Sequence, residues 1–118
     1  MIWSRSAVAA VLLVGATSMD VAAEPKVHGF GGHSCEHFLG AYRGWEAAEE
    51  AGVLDYAAYQ HWLAGLATGL SLATGEDVLR GADVEGLMRR IRLRCEDERT
   101  LDVFGAAMTQ VSELSALK

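Results

Sequence analysis

Three of the chain's four histidines, His28, His33 and His37, stand close together, and His33 and His37 are one helical turn apart. Imidazole is a common ligand for zinc, copper and nickel, so the trio invites a metal-site reading. Two facts weigh against it. The histidines lie partly on a glycine-rich segment, so ordering each ligand costs conformational entropy, and no carboxylate is fixed among them. The expectation is therefore solvated histidines that titrate near pH ~6, with no metal and no cofactor. Ser34, between His33 and His37, is the nearest approach to a nucleophile beside a base. Its position before an apolar stripe makes it a helix N-cap instead. Gly29-Phe30-Gly31-Gly32 lacks the Lys-Ser or Lys-Thr ending of a phosphate loop. The acidic pairs Glu49-Glu50 and Glu96 to Glu98 fall at polar helix ends, where solvation explains them. No catalytic residue is assigned, and the chain reads as a non-enzyme.

Cys35 and Cys95 are the only cysteines. Metal sites built on cysteine normally show close pairs such as C-x-x-C, which are missing here, so a structural disulfide is expected. Chain-entropy arithmetic for so large a loop gives roughly 4 kcal/mol, comparable with the whole stability of many small domains.

An oxidising compartment is what the opening residues imply. Met1 to Ser6 carry Arg5 and no acid, Ala7 to Thr17 are apolar, and Val21-Ala22-Ala23 is a small-residue cleavage signal. The apolar run falls short of the ~20 residues that a membrane-spanning helix needs. Residues 1–23 are thus expected to be a cleaved secretory signal, 24–33 a mobile arm with Pro25 and three glycines, and 34–118 one helical domain. No later stretch is apolar enough to span a membrane. The remaining ~95 residues suffice for one small core. Loss of Arg5 with Asp20 leaves the net charge at -6, which argues against a nucleic-acid partner. Arg89, Arg90, Arg92 and Arg94 spread around a helix, and Glu96 to Glu98 follow directly, so they read as a solvated face with local ion pairs.

Apolar spacing supplies the elements that position these groups. Cys35, Phe38, Leu39, Tyr42 and Trp45 draw one helical stripe behind Ser34, closing at Glu46 to Glu50 and ending at Gly52. Asp55 is expected to cap a second helix that buries Tyr59, Trp62, Leu63, Leu66 and Leu70. Gly65 and Gly69 share one of its faces, a turn beyond His61. Interior glycines cost up to about 1 kcal/mol each relative to alanine, so close approach of another helix or of a partner is expected there. With Tyr59 and Trp62 they form the assigned helix-packing set. Thr74 to Asp77 read as a turn and Val78 to Gly81 as a short helical turn. Asp83 then caps a third helix with Val84, Leu87, Met88, Ile91 and Cys95, and Thr100 a fourth with Leu101, Phe104, Met108, Val111 and Leu114. The fold class is all-α, a compact bundle of about four helices stapled by one disulfide. If the first and third helices pack side by side, the bridge requires them to be antiparallel. Most of Tyr42, Trp45, Tyr56, Tyr59 and Trp62 belong to the core, with one or two exposed.

Several of these features together resemble a known family: the leader, a Cys opening the first helix, Tyr59-x-x-Trp62-x-x-Gly65-x-x-x-Gly69, Asp83-x-x-Gly86-Leu87, Cys95 closing the third helix, and Thr100-Leu101. That family is the Rap/Tai immunity proteins, small periplasmic helical proteins that neutralise cell-wall amidases delivered by type VI secretion. The linker Glu96-Asp97-Glu98-Arg99 departs from their pattern, which often carries a Pro there. The resemblance implies a periplasmic location, a protein partner and a preformed surface, usually a protruding loop or groove, that plugs it. Gly75 to Gly81 is the candidate loop, with Gly75, Glu76, Asp77 and Arg80 as contacts. The layout is also similar to the HdeA/HdeB acid-stress chaperones, which implies the alternative of binding unfolded clients at low pH. The acidic excess and four histidines would swing strongly positive below about pH 3. A homodimer is compatible with either role.

Overall fold

In the computed structural model, which describes residues 10–12, 14–15 and 24–116, Ser34 accepts a hydrogen bond from the His37 amide at 3.2 Å and so caps helix α1, Cys35–Glu46. Three further helices follow: α2 (Glu50–Thr74), α3 (Val84–Asp97) and α4 (Val103–Ser115). One turn of 3-10 helix, Phe30–Gly32, precedes them, and no named strand occurs among the described residues. The all-α expectation holds. Most of the segment assigned as a secretory signal lies outside the described residues. No described helix is long and apolar enough to cross a membrane.

Cys35 and Cys95 form the disulfide, both fully buried, with 5.1 Å between their Cα atoms. The Arg92 guanidinium lies over the Tyr42 ring. Contacts that advance along α1 while receding along α3 make the two helices antiparallel. The core between the helices is Phe38, Leu39, Tyr59, Leu63, Leu87, Met88, Ile91 and Val103.

Two helix starts differ from expectation. Gly52 does not end the first helix, and Asp55 does not cap the second. α1 stops at Glu46, the chain reverses through Ala48 in the left-handed region (φ 56°), and α2 starts at Glu50, placing Asp55 inside it. Gly52 is instead where the two helices touch. A Cβ on Gly44 would lie 2.9 Å from Gly52 Cα, and a Cβ on Gly52 would fall on the Gly44 backbone. Glycine marks backbone freedom in a sequence, and here that freedom serves close approach. Thr100 likewise yields to Asp102, whose carboxylate accepts from the Gly105 amide at 2.6 Å and caps α4. Phe104 and Met108 are only half-buried, because α4 turns Val103, Ala106, Ala107, Val111 and Leu114 inward.

Gly65 and Gly69 also depart from their assigned role. Both are exposed, with nothing within 4 Å of where a Cβ would sit, so neither is a contact between helices of this chain. The inward face of α2 is Gly52, Tyr56, Tyr59, Leu63 and Ala67. The last correction concerns the arm. Residues 28–33 are docked rather than free: Trp62 Nε1 donates to the His28 carbonyl at 2.8 Å, and Gly31 is buried beneath the Trp62 indole. Val103 N donates to the His33 carbonyl at 2.9 Å, while Cys35 N donates to Leu101 O at 3.0 Å. These bonds tie the cap of α1 to the cap of α4.

Candidate functional site

Two regions on α2 concentrate the features that could do something. At its N-terminal half, Tyr59 points inward and is fully buried. Its Oη lies 2.6 Å from His37 Nδ1 and 3.2 Å from His33 Nδ1. The imidazole centroids are 4.2 Å apart, and Phe30 meets both rings edge-on. On the far side of the His37 ring, Nε2 faces Asp55 Oδ2 at 3.9 Å. Burial, with a smaller contribution from the Asp55 carboxylate, pushes the Tyr59 phenol above its ordinary range and keeps it neutral.

This arrangement decides what the histidines are for. His37 has Tyr59 at one nitrogen and Asp55 beyond the other, at the edge of a cavity that Gly40, Gly44, Glu49 and Gly52 also line. His28 does not join the cluster; its assigned interaction is through its backbone carbonyl. Among the described residues no group of three or more His, Cys, Asp and Glu is placed to hold a metal ion. Ser34 Oγ serves as the α1 cap. His33 is half-buried and joined to Tyr59, whereas His28 and His37 are exposed, as the solvated reading expects of them. A second aromatic group stands beside them, with Trp45 stacked on Tyr56 at 4.0 Å and Tyr42 edge-on to both. Burial raises the Tyr56 phenol as well.

The C-terminal half of α2 is the opposite case. From Tyr56 to Gly75 the chain has no Asp, Glu, Lys or Arg. Beyond the docked segment its outer side is uncovered, and Leu72 is 80% exposed. Ala64, Ala67, Thr68, Ser71, Leu79 and Val84, with Leu72 at the lip, line a groove of about 610 Å³. Its far wall is the α2–α3 connection, with Val78 and Leu79 buried.

The four assigned partner-contact residues divide here. Gly75, Glu76 and Asp77 line the groove. Gly75 is the left-handed C-cap of α2 (φ 73°). Asp77 accepts from Leu79 N at 3.0 Å and Gly81 N at 2.8 Å, so its carboxylate builds the turn. Glu76 alone offers a side-chain charge at the rim, in an exposed pair with Arg80 at 3.8 Å. Arg80 does not line the groove and reaches the Ser115 carbonyl at 3.4 Å instead. The helical wall, Thr68, Ser71 and Leu72, lies outside the 75–81 connection expected to make the contact. Its signal was the uncharged stretch itself, because a helix with no charged face must be covered somewhere. No family model, no curated protein and no solved structure matches this chain.

Proposed function

We propose that this protein binds another protein through the groove between the C-terminal half of α2 and the 75–84 connection, as an immunity-type inhibitor in the periplasm. The Rap/Tai resemblance names the expected partner, a cell-wall amidase. The observation that carries the reading is the groove with its exposed Leu72 lip. An apolar side chain at that exposure is ordinary when isolated, but here it borders a concavity in which Ala64, Ala67, Leu79 and Val84 stand beside Thr68, Ser71 and the acids Glu76 and Asp77. The walls are firm. Asp77 pins the connection, Val78 and Leu79 anchor it in the core, and the Cys35–Cys95 bridge holds α3 to α1. A preformed surface lowers the ordering cost of binding, as a stoichiometric inhibitor requires.

The test is affinity capture of the tagged, processed protein from its own periplasm at pH 7 and at about pH 2.5, followed by a peptidoglycan-hydrolysis assay on any partner. The expected result is one stoichiometric hydrolase at pH 7, inhibited by the native protein and released by Leu72→Glu. Many unrelated clients at acid pH, with none at pH 7, would replace this reading with the acid chaperone. A hydrolase bound equally well by Leu72→Glu would place the contact elsewhere.

A further inference from the structure

Six positions of α2 run along the side turned away from the core: Leu54, Ala58, His61, Gly65, Thr68 and Leu72. Their spacing alternates four and three, the period that keeps a seam aligned with a second helix. Ala58 is half-buried and the other five are exposed, Leu54 at 64% and Leu72 at 80%. Nothing lies within 4 Å of where a Gly65 Cβ would sit. None of the six is Asp, Glu, Lys or Arg, in a chain whose net charge is -6.

The order of sizes along this seam identifies what fits it. The six fall into three pairs equidistant from Leu63: Leu54 with Leu72, Ala58 with Thr68, and His61 with Gly65. A second α2 laid antiparallel, with a two-fold axis at the level of Leu63, sets every position on its counterpart. Leucine meets leucine at both ends, Ala58 and Thr68 let the backbones approach, and each His61 ring lies over the bare Gly65 of the other copy. A parallel pair fits poorly. It puts two imidazoles at one level and two glycines at the next, so the wide level holds the narrow one apart, and it aligns the helix dipoles unfavourably.

Charge points the same way. Two copies at -6 repel each other, and they approach with least repulsion across a face that carries no charge. Glu50 and Glu76 stand just beyond the two ends of the seam and oppose one another in this register, so salt should tighten the pairing. Leu54 and Leu72 are about 27 Å apart along the helix. Two helices meeting over that length bury on the order of 1,000 Å² in total, the low end of specific interfaces, which suits a reversible association.

We propose that the outer face of α2 pairs with the same face of a second copy, antiparallel, as a reversible two-fold dimer. The groove lies to one side of the seam, and only Thr68 and Leu72 belong to both. Leu54 and Gly65 therefore test the seam without touching the groove.

Sedimentation equilibrium of the purified protein from about 10 μM to about 1 mM should show a shift from monomer to dimer mass, stronger at high salt than at low. Leu54→Glu and Gly65→Leu alter exposed positions, so each should fold and weaken the dimer at least about tenfold. Leu93→Glu, at a comparably exposed leucine on α3, should leave it unchanged. Direction is read by cysteine pairing, with the native cysteines already bridged and buried. Ala58→Cys mixed with Thr68→Cys should oxidise to a covalent dimer that neither variant forms alone. A monomer at every concentration, a dimer indifferent to Leu54→Glu and Gly65→Leu, one broken equally by Leu93→Glu, or Ala58→Cys bridging to itself in preference to Thr68→Cys overturns the proposal.

Discussion

The two halves of α2 face opposite problems. The N-terminal half is covered on several sides, by α1 through Gly44 and Gly52 and by residues 28–33 through Trp62 and Tyr59. The Tyr59 hydroxyl buried there has two imidazole partners. The C-terminal half carries two glycines that touch nothing and a leucine in solvent. One helix thus carries a first half packed on its inner side, with Val53 and Leu54 left exposed, and a second half whose outer side is available to something else. Interior apolar and small residues alike report only that a neighbour is needed, and whether that neighbour is in the same chain is decided by the other helices.

The sharpest way to break the contrast is to unseal the first half. Cys35→Ser with Cys95→Ser removes the bridge that sets α1 against α3 and should cost about 4 kcal/mol, read as a large drop in the urea midpoint. Next comes the helix contact. Gly52→Ala drives a methyl into the Gly44 backbone and should cost about 1–3 kcal/mol. An unchanged midpoint for that variant would mean that the helices do not approach as closely as described.

Tyr59→Phe should follow, at about 1–2 kcal/mol, because it leaves His33 Nδ1 and His37 Nδ1 without their shared hydroxyl. It also carries a pH signature. The folded protein holds the Tyr59 phenol above its ordinary range, so its contribution is fully present below pH ~10 and is lost as the unfolded chain ionises above that. Alkaline titration of stability should therefore fall more steeply for the native protein than for Tyr59→Phe. Parallel curves would show that Tyr59 is not sealed.

Much of this was legible in the sequence where the signal is local. Ser34 and Asp83 cap helices because a short polar side chain precedes an apolar stripe, and each accepts the amide three residues on. The disulfide followed from two cysteines at opposite helix ends. What could not be read was any feature whose partner is backbone. Residues 28–33 dock through the His28 and His33 carbonyls, and a carbonyl has no sequence signature. α2 begins at Glu50 behind Glu49, which makes no side-chain cap, so Asp55 drew the boundary inward. Apolar on all sides, α2 also does not declare from its stripe which face turns in, and this put Gly65 and Gly69 inside and left Leu72 unassigned as a lip.

The smallest expected effect separates the halves most cleanly. Gly65→Ala and Gly69→Ala add methyls in open space on a helix interior, so each should stabilise the isolated protein by about 0.5–1 kcal/mol, against the loss at Gly52→Ala. The sign alone distinguishes a glycine that meets a neighbour from one that does not. Capture of the partner by the same variants then locates its edge. Thr68 and Leu72 line the groove, while Gly65 and Gly69 lie on the adjoining outer face of the same turns. Capture weakened by both alanines, in proteins made more stable, would extend the contact along the helix and supply the reason two interior glycines are kept; capture unaffected by either would confine it to the groove and its leucine lip.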